Sequence, residues 1–124
     1  LMQAVKASFH DCCRVLLSAK ANVNAMDIYY NTPLMLACEQ GDAGLVEMLL
    51  DFEADVRRTN SGRNTALHSA AQWAHEDCAR MLISKNPDLD AQDAQWRTSL
   101  MLAAAHAQPA DNMIRMLVKA GCDV

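Results

Sequence analysis

The chain has 124 residues, 52% of them apolar and only 5% aromatic, and its formal net charge is −4. None of its apolar runs has the roughly 20 residues that a helix needs to cross a bilayer, so we predict no membrane insertion. The mild acidic balance argues against nucleic-acid binding, which needs clustered lysine and arginine to neutralise phosphates. An apolar chain of this length with few aromatic residues indicates one domain built from thin helical layers.

Leucines recur at an interval of 33 residues, and small residues and threonines keep the same phase around them. The leucines are Leu1, Leu34, Leu67 and Leu100. Three residues after each leucine comes an alanine: Ala4, Ala37, Ala70 and Ala103. Two residues before three of the leucines comes a threonine: Thr32, Thr65 and Thr98. A fixed period in this range predicts an array of stacked repeats, because one short unit cannot bury its apolar face alone.

Each unit carries the signals of two helices separated by a short connection. In chain order, the predicted helices are residues 1–7, 11–19, 33–40, 43–51, 66–74, 76–85, 99–107 and 112–120. Thr32 and its two equivalents can cap a helix by accepting a backbone N–H bond, and Pro33 suits the first helical position. In the second helix of each unit, apolar pairs such as Leu49 and Leu50 recur at helical spacing and predict a buried face.

Several segments resemble ankyrin repeats, and the resemblance covers the whole chain. The segments are 31–38 (NTPLMLAC), 65–71 (TALHSAA), 21–25 (ANVNA), 54–56 (ADV) and 121–124 (GCDV). The family implies an all-α solenoid of helix-turn-helix units joined by β-turn or hairpin-like loops. The whole of residues 1–124 would be a single domain, with units of about 1–25, 26–58, 59–91 and 92–124. The family also implies binding of other proteins through a concave face formed by the turns and inner helices.

The outer units depart from the period. In the fourth unit, two extra residues lie within 107–110, between the predicted helices, and Pro109 predicts the end of the helix before it. The first unit lacks the turn and threonine that precede the leucine elsewhere. Residues of interior type occur in both outer units, where solenoids normally carry polar faces: Leu1, Val5, Leu16, Met116 and Leu117. We therefore expect further ankyrin repeats in the parent chain.

The cysteines occupy positions where equivalent units have small or medium apolar residues, and we expect them to face the stack. They are Cys12, Cys13, Cys38, Cys78 and Cys122. Their odd number and unpaired spacing indicate a reducing compartment, so we predict an intracellular protein, cytoplasmic and/or nuclear.

The residues that often carry chemistry show no catalytic pattern. His68 holds the family position whose ring bonds to the adjacent turn, and His75 resembles the turn histidine. His10 and His106 have no family role. The sequence contains no metal-ligand spacing, no Gly-rich phosphate loop and no recognisable nucleophile setting. These observations predict neither enzyme activity nor a metal or cofactor.

The family's partner-binding positions map onto the turns and the ends of the first helices. We expect them at Tyr29, Tyr30, Gln40, Arg63, Gln72, Trp73, Trp96, Arg97 and His106. Trp73 is the preferred contact, because the equivalent Ala7, Gln40 and His106 indicate that the stack needs no large apolar group there. The expected partner is a protein or peptide, and the turn arginines favour one with acidic and hydrophobic side chains.

The turn position that is usually glycine holds three bulky residues: Tyr30, Arg63 and Trp96. Glycine serves at such a position because it accepts a positive φ without penalty. The substitutions indicate either a changed turn geometry or a contact that covers the neighbouring turn.

Two other functions stay open at this point. An aromatic cage built from Trp73, Tyr29, Tyr30 or Trp96, with Glu39 nearby, would bind a methylated lysine, as some ankyrin arrays do. The chain would otherwise be a structural spacer without a binding face. Ankyrin repeats can also be hydroxylated at an asparagine near the end of a unit, and the residue in that position here is Asn24.

Overall fold

A computed structural model describes residues 1–106 and 111–123 of the chain. Within these residues all regular secondary structure is α-helical, as predicted. The described helices are α1 (Met2–Lys6), α2 (His10–Ser18), α3 (Pro33–Gln40), α4 (Ala43–Asp51), α5 (Ala66–Gln72), α6 (Glu76–Ile83), α7 (Ser99–Ala104) and α8 (Asp111–Ala120). They pair as α1–α2, α3–α4, α5–α6 and α7–α8, with one pair in each unit.

The helix pairs stack into two layers. The first helices of the units, α1, α3, α5 and α7, contact one another in that order and form the first-helix layer. The second helices, α2, α4, α6 and α8, contact one another in the same order and form the second-helix layer. Extensive helix contacts therefore lie within a unit or between adjacent units, which is the arrangement of a repeat solenoid.

The repeated leucines and alanines form the core between the layers. Leu34 and Leu67 are buried, whereas the equivalent Leu1 and Leu100 in the outer units are partly buried against the same cluster. The alanine at the next repeated position is fully buried in three units: Ala37, Ala70 and Ala103. Small side chains at this position allow adjacent first helices to pack closely.

Threonine caps begin α3, α5 and α7, as the sequence predicts. The Thr32 hydroxyl accepts the backbone N–H of Met35 at 3.3 Å, and Thr98 caps α7 in the same way. Thr65 accepts the N–H of His68, whose Nδ1 in turn accepts the Thr65 backbone N–H at 3.2 Å. This reciprocal pair is a capping box.

The helices of the second unit have their predicted bounds, but three later helices end early. α5 ends two residues before the predicted position, because Trp73 is its C-cap and Ala74 adopts a left-handed backbone with φ of +56°. α6 ends at Ile83 rather than residue 85, and α7 ends at Ala104 rather than residue 107. The insertion and the proline stop predicted within 107–110 lie outside the described residues.

The connections between units are hairpin-like turns of one repeated design. Asp27, Asn60 and Asp93 occupy the same position in successive turns. The Oδ1 atom of each accepts two backbone N–H groups, from the residues two and four positions further on, at 2.8–3.0 Å. A backbone bond between the same two ends, such as Asp27 N–H to the Asn31 carbonyl oxygen at 3.1 Å, closes each turn.

Backbone hydrogen bonds also join each turn to the next. The N–H of Ser61 donates to the carbonyl oxygen of Tyr29 at 2.9 Å, and the N–H of Ala94 donates to that of Gly62 at 2.9 Å. The three turns therefore form one continuous edge, which fixes the relative positions of the residues that they carry.

The bulky residues at the usual glycine position keep the turn geometry that glycine allows. The φ angles of Tyr30, Arg63 and Trp96 are 62°, 60° and 62°, so the alternative of a changed turn is wrong. A non-glycine residue costs roughly 1–2 kcal/mol in this region. The other alternative, a contact between neighbouring turns, is present, because the Arg63 guanidinium carbon lies 5.4 Å from the centroid of the Trp96 ring.

Candidate partner-binding surface

An open groove crosses the first three units along the first-helix layer. We call it the Trp73 groove, and it is lined by Lys6, Leu36, Glu39, Gln40 and Trp73. Lys6 comes from α1, the next three residues come from α3, and Trp73 comes from the C-cap of α5. Two of the expected contacts, Gln40 and Trp73, thus lie in one groove, and the Trp73 side chain is 53% exposed.

The residues equivalent to Trp73 in the adjacent units bond to the unit before them. Gln40 Nε2 donates to the carbonyl oxygen of Lys6 at 2.9 Å, and His106 Nε2 lies 3.1 Å from the carbonyl oxygen of Ala71. Within residues 1–106 and 111–123 the Trp73 side chain makes no hydrogen bond, so its indole N–H is a free donor. Because the ring is half exposed, it does not fill an interior gap in the stack.

A second depression brings together three more of the expected contacts. It is lined by Gln72, Arg97, Leu102, Ala105 and His106. Gln72 is exposed. The Arg97 side chain instead forms an ion pair within its own turn, because its Nε and Nη2 atoms each lie 2.8 Å from Asp93 Oδ2. Arg97 and His106 therefore serve the fold as well as lining the surface.

Hydrogen bonds stabilise the ionised form of the Asp93 carboxylate in its pair with Arg97. Burial of the Asp93 carboxylate opposes its ionisation, but the backbone and side chain of Arg97 and the backbone N–H of Gln95 donate hydrogen bonds to it. These bonds hold the pKa of Asp93 below its ordinary value of 3.8. The carboxylate is ionised at neutral pH, and it neutralises the charge of Arg97.

The turns present a row of large exposed side chains that the core does not use. We call Tyr30, Arg63 and Trp96 the turn-tip row, and Tyr29 stands beside it; all four are exposed. The Arg63 guanidinium stacks on Trp96 but makes no hydrogen bond or ion pair with any other residue that the structure describes. In contrast to Arg97, Arg63 therefore offers an uncompensated positive charge.

An aromatic cage, the alternative function, would need a second ring beside Trp73. Trp73 is the only ring among the residues that line its groove, although Glu39 is present there as the cage requires. The Trp96 ring instead has the guanidinium of Arg63 over one face, and its side chain stays largely exposed. A methyl-lysine cage needs at least two rings around one ammonium group, so these contacts give it no support.

All four histidines, and not His68 alone as the family resemblance implies, bond to the adjacent unit. His10 Nε2 lies 2.7 Å from Asp42 Oδ2, and His75 Nε2 lies 3.2 Å from the carbonyl oxygen of Glu39. The structure links His75 to Gly41, because a Cβ atom on Gly41 would lie 2.5 Å from the His75 ring. Glycine in one unit thus makes room for histidine in the next.

The cysteines are free thiols, and four of the five are buried as predicted. Cys12 is exposed, which corrects the expectation that it faces the stack; no described unit lies against that side of α2. Burial raises the pKa of Cys38 well above its ordinary value and raises the pKa of Cys78 to about 11. These buried thiols are therefore protonated at neutral pH and behave as small apolar side chains.

Asn24 is bonded to the following unit. Its side-chain oxygen accepts the backbone N–H of Asp55 at 2.8 Å, and its own N–H donates to the side-chain oxygen of Asn22 at 3.0 Å. Hydroxylation of Asn24 stays a prediction.

Among the described residues, no group of three or more His, Cys, Asp or Glu side chains is arranged to hold a metal ion. None of the helices in the same part of the chain combines the length and the apolar character of a transmembrane span.

Comparison with known proteins places this chain in a family. A family model of ankyrin repeats (3 copies) matches residues 1–93. The chain is 27% identical over 112 residues to the transient receptor potential cation channel subfamily A member 1 of Drosophila melanogaster, covering 86% of this chain and 9% of that protein. It is 29% identical over 125 residues to the B-cell lymphoma 3 protein homolog of Mus musculus, covering 98% of this chain and 28% of that protein.

A third relative is the protein lin-12 of Caenorhabditis elegans, which is 36% identical over 115 residues, covering 87% of this chain and 8% of that protein. The chain thus spans less than a third of the length of each of these relatives. The match over residues 1–93 and the stacked helix pairs agree, and the chain belongs to the ankyrin-repeat family.

Proposed function

We propose that this chain is a protein-interaction module whose partner binds across the Trp73 groove. Ankyrin repeats mediate protein–protein interaction, and the groove is a surface on which this chain would do so. The observation that carries the proposal is the half-exposed ring of Trp73 in a position where Gln40 and His106 bond to the unit before them. A large ring without a structural task is the kind of residue that dominates binding energy at interfaces.

The lining of the groove indicates the chemistry of its ligand. Leu36 and Trp73 provide apolar surface, while Lys6 and Glu39 place opposite charges beside it. A partner segment with one large apolar side chain against the indole and polar groups on either side fits this arrangement. The indole N–H adds one directional hydrogen bond to the partner.

The experiment compares the full chain with two variants. Trp73→Ala removes the central ring, and Phe52→Ala removes an exposed ring from the C-cap of α4 in the second-helix layer, which makes it the matched control. Each of the three proteins serves as bait in a pull-down. Proteins captured by the wild type and by Phe52→Ala but not by Trp73→Ala are then titrated against all three by calorimetry. We expect Trp73→Ala to weaken binding by about 30-fold or more, which corresponds to about 2 kcal/mol. Unchanged affinity, or a lower affinity explained by a lower melting temperature, contradicts the proposal.

We further propose that the chain acts inside the cell without catalysing a reaction. Ankyrin repeats are a non-enzymatic interaction module, and this proposal applies to residues 1–124. The five cysteines are free, and the exposed Cys12 would oxidise readily in an oxidising compartment. This supports a reducing location, cytoplasmic and/or nuclear, which fractionation of cells that express the protein would test.

We also propose that the exposed side of α2 packs against a further ankyrin unit. Cys12 is exposed, whereas the equivalent residues in the other units are buried: Leu45, Cys78 and Met113. Leu16 is 37% exposed, whereas its equivalents are fully buried: Leu49, Leu82 and Leu117. Each of these equivalents lies in a helix that stacks on the second helix of the unit before it, so the same kind of unit fits against α2.

A fusion tests this packing directly. A copy of residues 26–66 placed immediately before Leu1 keeps the 33-residue phase. We expect it to slow the reaction of Cys12 with a thiol reagent by at least tenfold, because burial removes thiol access. The control is the same fusion with Leu16→Glu, which places a charge in the new contact and should leave Cys12 reactive. Equal reactivity in the chain and in the fusion rules the packing out.

A further inference from the structure

The turn-tip row places three large side chains where the turn itself needs only a residue that accepts a positive φ. Tyr30, Arg63 and Trp96 hold the same place in successive turns and have positive φ angles. All three are exposed, so their side chains add little to the core. The size and exposure of these side chains are a reason to look for a binding role, whereas positive φ alone is not, because it also recurs at the exposed Lys20 and Glu53.

The row is held rigidly before any partner arrives. The carboxylate or amide oxygen of Asp27, Asn60 and Asp93 fixes each turn through two backbone N–H groups. The backbone bonds between turns fix the spacing along the row. A preorganised surface loses little conformational entropy on binding.

Arg63 gives the row its charge. It lies in the middle turn, and among the described arginines that have no carboxylate partner it is the one held over an aromatic ring. Stacking on Trp96 restricts the guanidinium while leaving its N–H donors unbonded within residues 1–106 and 111–123. A guanidinium held in this way matches a carboxylate, which it binds through two parallel hydrogen bonds.

We propose that the turn-tip row binds an extended acidic segment of a partner protein. One carboxylate of the segment pairs with Arg63, and flanking apolar side chains lie against the exposed rings of Tyr30 and Trp96. The proposal rests on the interaction function proposed above, but it names a second contact surface and does not depend on Trp73.

Selection from a random peptide library displayed on phage tests the proposal without assuming a sequence. The full chain, Arg63→Gln, Arg58→Gln and Trp73→Ala are each used as bait. Arg58→Gln is the matched control, because it removes an exposed arginine that already has a partner, Asp55, outside the row. We expect Asp and Glu to be enriched in peptides selected by the full chain, Arg58→Gln and Trp73→Ala, and not in those selected by Arg63→Gln.

An enriched peptide is then titrated against the same proteins by fluorescence anisotropy. We expect about tenfold weaker binding to Arg63→Gln, a smaller loss with Arg63→Lys, and a weaker salt dependence in the Gln variant. Circular dichroism of each variant checks that the helices are intact.

Two results overturn the proposal. Peptides without acidic enrichment whose binding is lost in Trp73→Ala would refute the row as an acidic site while supporting the Trp73 groove. Failure of every bait to select peptides would count against both surfaces.

Discussion

The imidazole of His68 joins two units, because its Nε2 lies 3.1 Å from the carbonyl oxygen of Arg97 while its Nδ1 accepts the backbone N–H of Thr65. A backbone N–H can only donate, so the ring carries its proton on Nε2 and is neutral. The side chain is almost completely buried. Burial lowers the pKa of His68 below its ordinary value of 6.5, although the hydrogen bond to Arg97 opposes the shift.

The stability of the protein should therefore fall in a defined acid range. With a lowered native pKa, the unfolded chain binds this proton at a higher pH than the native chain does. The contribution of His68 to the free energy of unfolding is thus constant above about pH 7 and declines as the pH falls through 6.5. Urea unfolding of wild type and His68→Met across this range measures the decline.

Methionine is the matched replacement, because it occupies the equivalent positions 35 and 101. We expect His68→Met to cost about 1 kcal/mol near neutral pH through the lost hydrogen bonds. The difference in the free energy of unfolding between wild type and His68→Met should shrink as the pH falls through 6.5. Parallel stability curves would show that His68 does not titrate in this way.

The Asp93 turn should tolerate asparagine better than alanine. Asp93→Asn keeps the Oδ1 acceptor that Asn60 supplies in the adjacent turn, and we expect it to lower the free energy of unfolding by about 1 kcal/mol. Asp93→Ala leaves two N–H groups and Arg97 without their acceptor, and we expect a loss of about 2–3 kcal/mol. Asp77→Ala, which breaks an exposed pair with Arg80, is the control and should have almost no effect. Equal losses for the two Asp93 variants would contradict this account of the turn.

Two glycine exchanges should have opposite effects, although both positions have a positive φ. Gly41→Ala puts a Cβ 2.5 Å from the His75 ring, and we expect it to lower the free energy of unfolding by about 2 kcal/mol or more. Tyr30→Gly relieves a strained turn whose side chain is exposed, and we expect no loss and a gain of up to about 1 kcal/mol. Thermal melting of both variants checks the pair. A clear loss in Tyr30→Gly would assign Tyr30 to the fold rather than to binding.

Ser99 is the weak point of the fourth unit. Its hydroxyl is buried and has no hydrogen-bond partner among the described residues, whereas the equivalent position in the third unit is Ala66. We expect Ser99→Ala to raise the free energy of unfolding by about 1 kcal/mol, because it removes an unsatisfied polar group. Thr98→Ala, next to it, removes the α7 cap and should lower that energy by a similar amount. Denaturant melts of the two variants should therefore shift in opposite directions.

Most of the fold follows from the 33-residue phase of the sequence. Periodicity fixes which residues face inward, and the threonine caps fix where α3, α5 and α7 begin. The ends of helices depend on backbone angles that periodicity does not reveal, which is why Trp73 and Ala74 end α5 early. The exposure of Cys12 was missed for a different reason: phase identifies the face on which a residue lies, and not whether another unit covers it.

The places of the expected contact residues on the helices and turns were predictable, but their side-chain contacts were less so. The phase correctly put Trp73 at the end of a first helix, but sequence alone does not show that Arg97 is bound to Asp93 or that His106 bonds to the preceding unit. Both arrangements depend on side-chain geometry between residues that are 4 positions apart in the first case and 35 in the second. The repeated acceptors Asp27, Asn60 and Asp93 were visible at constant spacing, and comparing turns position by position would have found them.

The side-chain bond from Asn60 Nδ2 to Asn31 Oδ1, 2.8 Å long, lies between two adjacent turns. It joins one turn only to its neighbour, as the extensive helix contacts do. A pull on either terminus would therefore detach units one after another from the loaded end, with no single rupture of the whole molecule. A partner that binds several turns at once would bear part of that force and delay the detachment of the units.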